Sequence, residues 1–562
     1  MTLGFPVATT TDSSSAWSRR REHPAFSMRG MVATAHPLAT AAGLRVLHEG
    51  GNAVDAAVAA ALASTVVLPA MCGIGGDLFA VVYRSSDGCG PGELQAIHGS
   101  GIGPRGVTID FFRERGEAGG RLMPRFGPLS VSVPGLVDAC FTLLQRFGTR
   151  SFAEVAADAI DYAERGFPLS AYGARRIAEA ADLLGRYPTS AAIFLPDGKP
   201  PAPGTILRQR DLARTIQQIA EGGPDVFYRG DIARRIGEFM AANGGALSAD
   251  DFADHQTVVS APLSTTYRGY RIFETSLPTQ GFLVLETLNI VEEDDLSAIG
   301  NTSADGVHLL AEAMKLAFAD RNRYAGDPAF VQTPLATLIG KPWARERRQQ
   351  IDPQRAADDV TAGSVRAGDT TYLCAADASG TMVSLILSLS SGFGSGVVAG
   401  DTGIVLNNRA GDCFSLEEGH PNAFAPGKKP MHTLNCYLIA APDGTPLLVG
   451  GTPGGDSQPQ WNLQVITGLI DGGLDVQAAA EQPRWSVWPG TYPHDLGHPF
   501  ELRIEDRFGE ETLADLARRG HRMVRVGPWG SGGAVQLIAR DPETGALAGG
   551  SDPRQEGLAV GL

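Results

Sequence analysis

The residues that most directly suggest chemistry are Asp369 and Thr370, which lie between a polar, arginine-rich segment (345–369) and an apolar run. A turn at 378–380 and a second apolar run at 382–389 follow, and this pattern predicts a β-hairpin that begins at Thr370. A threonine hydroxyl is a poor nucleophile unless a base lies beside it. Cleavage of the Asp369–Thr370 bond would make the α-amine of Thr370 that base. An isolated Thr-Thr pair, however, is usually just a β-branched strand start.

Motifs downstream of Thr370 favour the chemical interpretation. They are Phe393-Gly394-Ser395-Gly396, Gly403-Ile404-Val405-Leu406-Asn407-Asn408, Asp412, Pro430-Met431-His432-Thr433 and Gly451-Thr452-Pro453-Gly454-Gly455. With the upstream runs 50–60 and 73–79, this set resembles the γ-glutamyltransferase (γ-glutamyltranspeptidase) family of N-terminal-nucleophile hydrolases. The resemblance extends from about Met31 to the C-terminus.

The resemblance implies a mixed α/β fold, a four-layer αββα sandwich of two packed sheets between helices. It also implies that self-cleavage divides one intertwined fold into a large subunit (31–369) and a small subunit (370–562). These two chains of one precursor would be each other's partners. Residues 1–30 are rich in Ser and Thr and then basic, and we expect them to form a disordered tail.

Local signals predict the elements around these motifs. A helix is expected over 53–68, with Asn52 as its N-cap and Asp55 in its first turn, where a carboxylate suits the helix dipole. Further predictions are a helix at 38–48, strands at 78–83, 266–274, 403–406, 435–439 and 446–450, and a helix at 460–470.

The resemblance assigns roles to the catalytic residues. Thr370 would attack a carbonyl group while its α-amine takes and returns the proton. Ser388 falls where the family has a hydroxyl that is hydrogen-bonded to the nucleophile. Gly454 and Gly455 precede a predicted helix, where backbone N–H groups can stabilise an oxyanion.

Four positions depart from family members that bind γ-glutamyl groups. Ser100 stands where those members have an arginine that grips the substrate α-carboxylate. His432-Thr433 replaces a serine pair that touches the same carboxylate, and Ser390 replaces an asparagine on the same wall. The loss of a bidentate clamp on a carboxylate is not a conservative change.

Arg409 and Asp412 suggest a different acyl group. Arg409 replaces a glutamine near the substrate α-amine, whereas Asp412, the carboxylate partner of that amine, is kept. A positive charge there repels an ammonium group and attracts a plain carboxylate, and we predict that both side chains face one substrate pocket. The alternative is a surface ion pair between them. The short segment 415–429, where some members carry a lid, predicts a more open site.

These departures predict a self-processing amidohydrolase or acyltransferase that acts on a small carboxylated acyl group, such as glutaryl or oxamoyl. The alternatives are a genuine γ-glutamyltransferase or glutathione hydrolase with a rebuilt pocket, and a hydrolase of C–C bonds in secondary metabolism that uses the same nucleophile. The acyl-enzyme half of the reaction is common to all three. An inactive scaffold or binding protein is a fourth alternative, against which the retained Thr370, Ser388 and glycine pair argue.

The composition of the chain argues against several other classes of protein. The formal net charge of -15 over 562 residues argues against binding to nucleic acid or anionic membranes. The six cysteines have no metal-like spacing, and neither they nor the histidines form a ligand motif, so we expect no metal and no cofactor. No apolar signal region precedes Met31, and the longest apolar run (56–71) is too short to span a bilayer. We therefore expect a cytoplasmic protein, and a homo-oligomer of the processed heterodimer stays open.

Overall fold

The computed structural model of the protein describes residues 17–86, 92–358 and 369–562. In chain order the strands are β1 (Ala25–Ser27), β2 (Gly30–Thr34), β3 (Asp77–Arg84), β4 (Glu93–Gly99), β5 (Phe167–Pro168), β6 (Ile206–Leu207), β7 (Val258–Ser260), β8 (Leu263–Tyr267), β9 (Tyr270–Glu274), β10 (Asp369–Asp377), β11 (Met382–Ser390), β12 (Tyr437–Ala440), β13 (Pro446–Gly451), β14 (Trp485–Trp488), β15 (Glu501–Ile504), β16 (Met523–Arg525), β17 (Gln536–Arg540), β18 (Leu547–Ser551) and β19 (Leu558–Gly561).

The α-helices are α1 (Pro37–His48), α2 (Ala53–Val67), α3 (Ile109–Arg115), α4 (Glu117–Gly120), α5 (Leu136–Phe147), α6 (Phe152–Arg165), α7 (Ala171–Glu179), α8 (Ala181–Leu184), α9 (Pro188–Phe194), α10 (Arg210–Gly222), α11 (Pro224–Tyr228), α12 (Asp231–Ala242), α13 (Ala249–Ala253), α14 (Gly281–Val291), α15 (Leu296–Ile299), α16 (Ala304–Tyr324), α17 (Leu335–Leu338), α18 (Lys341–Arg348), α19 (Arg409–Cys413), α20 (Ser457–Ile470), α21 (Val476–Glu481) and α22 (Glu510–Arg518).

Two seven-stranded antiparallel sheets form the centre of the molecule. Their strand orders are β1-β18-β17-β13-β12-β9-β8 and β19-β2-β10-β11-β3-β4-β7. The inner faces of the two sheets share one hydrophobic cluster that includes Phe79, Tyr372, Leu438 and Ile538. A second cluster joins the β10 sheet to helices such as α2 and α5, and a third joins the other sheet to α14, α16 and α20. The order of layers is therefore αββα, as predicted.

The helix α2 shows how the sequence specifies an outer layer. The side chain of Asn52 accepts the N–H groups of Val54 and Asp55, while the Asp55 carboxylate accepts the N–H of Asn52 at 2.9 Å. This capping box satisfies N–H groups that a helix start otherwise leaves unpaired. Every residue of α2 is buried, which explains why its sequence is apolar except for Asp55, Ser64 and Thr65. The predicted N-cap is confirmed.

Two predicted strands were wrong. Residues 266–274 form parts of β8 and β9 rather than one strand, because Arg268 and Gly269 take positive φ angles of 51° and 87° and reverse the chain. Residues 403–406 form only single bridges with neighbouring segments. Gly403 has a φ of 70° and lies so close to α10 that a Cβ there would be 2.3 Å from the Leu212 nitrogen. That close approach interrupts an extended run.

The expected disordered tail does not extend to residue 30. Strand β1 pairs with β18, and the backbone N–H groups of Arg20 and Arg21 donate to the Glu481 carboxylate. These contacts fix the end of the tail to the part of the chain that follows Thr370. The rest of the predicted tail, residues 1–16, lies outside the described residues.

Within the described part of the chain, none of the helices combines the length and the apolar character that a membrane crossing requires. The cytoplasmic location stays a prediction.

Candidate active site

Thr370 lies where the hairpin prediction placed it, near the start of β10. It pairs with Ser388 on β11, and its Oγ1 donates a hydrogen bond to Ser388 Oγ at 3.0 Å. Both residues are buried. The β10–β11 register shifts between Asp369 and Thr370, so a β-bulge lies at the predicted scissile peptide. Bulges re-aim side chains and interrupt pairing, and Ser388 holds Thr370 Oγ1 in one direction.

The glycine pair lies just before α20, as the oxyanion hypothesis requires. Gly454 and Gly455 take φ angles of 144° and 57°, which are conformations that favour glycine. A Cβ on Gly454 would approach the Trp461 ring to 2.3 Å. This backbone is therefore fixed against the helix, and the N-terminus of α20 supplies a positive dipole end close to Thr370.

Two glutamines that the sequence interpretation missed connect these parts. Gln458 on α20 directs its Nε2 to Thr370 Oγ1 at 3.5 Å, while its Oε1 accepts the backbone N–H of Asn435. Gln280 donates to the carbonyl oxygens of Thr433 (2.7 Å) and Gly455 (3.1 Å). No local pattern marks either glutamine, because each acts across a long sequence separation. Their hydrogen bonds connect the glycine turn to Thr370 and to Thr433, which we predict to line the substrate pocket.

Asp412 lies within the site, but its carboxylate already forms an ion pair with an arginine side chain. Arg125 Nε donates to Asp412 Oδ1 at 2.9 Å, and the hydroxyl groups of Ser390 and Ser391 donate to Oδ2 at 2.9 and 2.6 Å. Asp412 is 2% exposed. The carboxylate that would hold an ammonium group in the family is thus neutralised by Arg125. Sequence analysis gave no signal for this contact, which joins residues 287 positions apart.

Arg409 is completely buried and faces Asp77 rather than Asp412. Its Nη1 donates to Thr433 Oγ1 at 3.5 Å, and its Nε lies 3.7 Å from Asp77 Oδ2, beyond hydrogen-bond distance. Among the described residues, the Nε and Nη2 groups of Arg409 and both carboxylate oxygens of Asp77 have no hydrogen-bond partner. The alternative of a surface Arg409–Asp412 ion pair is therefore wrong.

His432 and Ser100 belong to the same polar group. His432 Nδ1 lies 3.9 Å from Asp77 Oδ2, and its ring packs edge-on against Phe79 with 4.8 Å between centroids. Ser100 follows the end of β4 and is buried. Neither His432 ring nitrogen nor Ser100 Oγ has a partner within the described segments. Buried polar atoms without partners are costly, so this group marks a place for a polar ligand.

Burial determines the protonation states of Asp77 and His432. It raises the pKa of Asp77 to about 7, although the nearby Arg409 and Lys429 act in the opposite direction. Burial, with the positive charge of Arg409 next in importance, lowers the pKa of His432 well below its usual value. His432 is therefore neutral at pH 7, and Asp77 changes its charge near that pH.

The site is more enclosed than we predicted from the short segment 415–429. Thr370, Arg409 and Asp412 are each 2% exposed or less. A cavity of about 450 Å³ has Gly454, but none of these three residues, in its wall. Its lining includes Tyr172, Trp461, Trp488, Arg503 and Trp529.

One group of side chains has the composition of a metal site. His308, Glu312 and His521 bring their ligand atoms within 4.8 Å of one another. These atoms already bind one another and their surroundings: His308 Nδ1 lies 2.8 Å from His521 Nε2, and Lys315 donates to Glu312 at 2.7 Å. The expected absence of a metal stays a prediction.

The comparisons with known proteins agree with this geometry. The family model described as gamma-glutamyltranspeptidase matches residues 39–562. The glutathione hydrolase-like YwrD proenzyme of Bacillus subtilis (strain 168) is 39% identical, over 95% of this chain and 98% of its own. The acylase ACY 1 proenzyme of Pseudomonas sp. (strain SE83) is 38% identical, over 96% and 94%.

A solved structure supports the same assignment. Cephalosporin acylase from Bacillus halodurans superimposes with a TM-score of 0.88 at 36% identity, and the match covers 99% of both chains. Together with the N-terminal-nucleophile fold, the β-bulge opposite Thr370 and the glycine turn, these matches show that the chain belongs to the gamma-glutamyltranspeptidase family.

Proposed function

We propose that the protein is a self-processing amidohydrolase or acyltransferase that uses Thr370 as an N-terminal nucleophile on a small carboxylated acyl group. The observation that carries the nucleophile assignment is the 3.0 Å hydrogen bond between Thr370 Oγ1 and Ser388 Oγ, at a bulge next to the Asp369–Thr370 peptide. Relatives named as proenzymes support cleavage of the precursor.

The proposed reaction needs only groups of this chain. After cleavage, the Thr370 α-amine takes the hydroxyl proton as Oγ1 attacks the substrate carbonyl carbon. The N–H groups at Gly454 and Gly455 stabilise the resulting oxyanion, and the amine returns the proton to the leaving group. Water or an acceptor amine then attacks the acyl-enzyme. The cavity beside Gly454 provides room for the leaving group.

Arg125 supports the choice of acyl group. Because its guanidinium group is hydrogen-bonded to the Asp412 carboxylate, that carboxylate is not available to a substrate α-ammonium group. Arg409 still has two N–H groups without partners among the described residues, and these can receive a carboxylate in bidentate geometry. Relatives named as acylases favour the hydrolysis or transfer of an acyl group.

A γ-glutamyl hydrolase is the second candidate function. The relative named glutathione hydrolase-like favours it, and so does the placement of Asp77 beside Arg409, since opposite charges can bind an amino-acid head group. In this arrangement Asp77, instead of Asp412, would hold the ammonium group.

A substrate panel separates the two candidates. We expect the processed enzyme to hydrolyse glutaryl anilides with a higher kcat/KM than the corresponding γ-glutamyl anilides. A Thr370→Ala protein controls for contaminating activity. Faster turnover of the γ-glutamyl compounds would reject the proposed acyl group and favour the second candidate.

A further inference from the structure

Asp77 is a charged residue of the site to which the proposed reaction gives no role, although it lies in the run 73–79 that contributes to the family resemblance. It begins β3, directly opposite Ser388 on β11, which in turn lies opposite Thr370 on β10. Adjacent strands are about 4.8 Å apart, so the Cα atoms of Asp77 and Thr370 are separated by about 10 Å. A glutaryl group separates its two carboxyl carbons by about 5 Å. It can therefore reach from Thr370 toward the Asp77 side chain.

The unused edge of Arg409 faces this Asp77 side chain. The Nε and Nη2 groups form the side of the guanidinium that binds a carboxylate with two parallel hydrogen bonds. Asp77 is placed 3.7 Å from Nε, which is close enough for charge attraction and too far for a hydrogen bond. The Asp77 carboxylate thus balances the positive charge of this edge but forms no hydrogen bond with its N–H groups.

We propose that Asp77 is a specificity-determining residue, which lets Arg409 bind the terminal carboxylate of an acyl group only when the Asp77 carboxyl group is protonated. This inference rests on the proposed function, since it concerns the far end of the same acyl group. An ionised Asp77 would face the substrate carboxylate as a like charge in a buried site, which disfavours binding. A neutral Asp77 can instead donate a hydrogen bond to that carboxylate.

The other charged groups around Asp77 keep one state near neutral pH. Arg409 on α19 and Lys429 in the segment before β12 are cations, whereas His432 is held neutral because burial lowers its pKa. His98 on the neighbouring β4 is also neutral, with a pKa lowered to about 4 by burial. Among these side chains, Asp77, with its pKa raised to about 7, is therefore the one that titrates between pH 6 and pH 8.

Binding of glutarate to the processed enzyme tests the proposal without requiring turnover. For the wild type we expect affinity to fall about tenfold per pH unit above pH 7, because each binding event must return one proton to Asp77. Asp77→Asn, which mimics the protonated carboxyl group, should bind glutarate about tenfold more tightly than the wild type at pH 8. The exposed turn substitution Asp443→Asn is the matched control and should follow the wild type. The terminal amine of Thr370 titrates in the same range but is present in all three proteins.

Calorimetric titration of glutarate between pH 6 and pH 8.5 measures these affinities. The proposal is overturned if Asp77→Asn has the pH profile of the wild type, or if it loses glutarate binding. Tight, pH-dependent glutarate binding without hydrolysis of glutaryl anilides would reject the proposed function alone.

Wild-type kinetics provide a second measurement if Asp77→Asn does not fold. The ratio of kcat/KM for glutaryl anilide to that for valeryl anilide cancels effects at the nucleophile, because the two acyl chains differ only in the terminal carboxylate. We expect this ratio to fall about tenfold from pH 7 to pH 8.5. A ratio that stays constant contradicts the proposal.

Discussion

Arg125→Met should shift the substrate selectivity of the enzyme from glutaryl toward γ-glutamyl compounds. Arg125 Nε donates to Asp412 Oδ1 at 2.9 Å, and the carboxylate is buried. Methionine has a similar length and no charge. Its introduction leaves Asp412 with the hydroxyl groups of Ser390 and Ser391 and an uncompensated negative charge. A substrate ammonium group can supply the missing cation.

The size of the change follows from this one contact. A hydrogen bond to a charged group contributes about 1.5–3 kcal/mol. If the ammonium group of a γ-glutamyl substrate replaces the guanidinium, kcat/KM for that substrate should rise about 10- to 150-fold. Turnover of glutaryl anilide should change much less, because its acyl group carries no ammonium.

The assay compares kcat/KM for the γ-glutamyl and glutaryl anilides in the wild type, Arg125→Met and the charge-conserving Arg125→Lys. Removal of one partner from a buried ion pair is destabilising, so thermal melting and complete self-cleavage of each protein must be verified first. The reasoning is refuted if a folded, processed Arg125→Met protein keeps the wild-type ratio, or if Arg125→Lys changes it equally.

Three further predictions concern other parts of the protein. Ser388→Ala should slow both self-cleavage and turnover about 10- to 30-fold, since it removes the acceptor for Thr370 Oγ1; unchanged rates in a time course would contradict the positioning role. His36, the N-cap of α1, has a pKa lowered to about 4 by burial, so the unfolded chain gains a proton below pH 6.5 that the folded protein does not. Relative to His36→Asn, the wild type should therefore lose about 1.4 kcal/mol of unfolding free energy per pH unit from pH 6.5 to pH 4, and equal pH dependence in urea titrations would oppose this. EDTA should leave turnover unchanged, whereas activity lost to EDTA and restored by zinc would direct attention to His308 and His521.

Local pattern was enough to predict the parts of the site that lie close together in sequence. The hairpin that pairs Thr370 with Ser388 depends on two apolar runs and a short turn, and the glycine pair depends on its position before a helix. The α2 capping box likewise involves neighbours only. In each case the interacting groups belong to one or two adjacent elements, so spacing along the chain determines their geometry.

The charge pairing of the site was not predictable in the same way. Asp412 and Arg409 are three residues apart, which suggested a shared pocket, but α19 directs them to different partners, Arg125 and Asp77. Both partners come from distant segments, and a single sequence carries no information on how those segments pack. For Asp77 there was one signal: a carboxylate at the start of an otherwise apolar strand, directly after Gly75-Gly76.

Cleavage of the Asp369–Thr370 peptide bond is the event on which the proposed nucleophile depends most directly. Intact-mass measurement of the purified protein, with N-terminal sequencing of the smaller product, tests it. We predict two chains, residues 1–369 and 370–562, with Thr370 as the first residue of the second, and an uncleaved Thr370→Ala protein. A wild-type protein that persists as a single chain of 59.0 kDa, or that is cut at another bond, would contradict the assignment of Thr370 as the nucleophile.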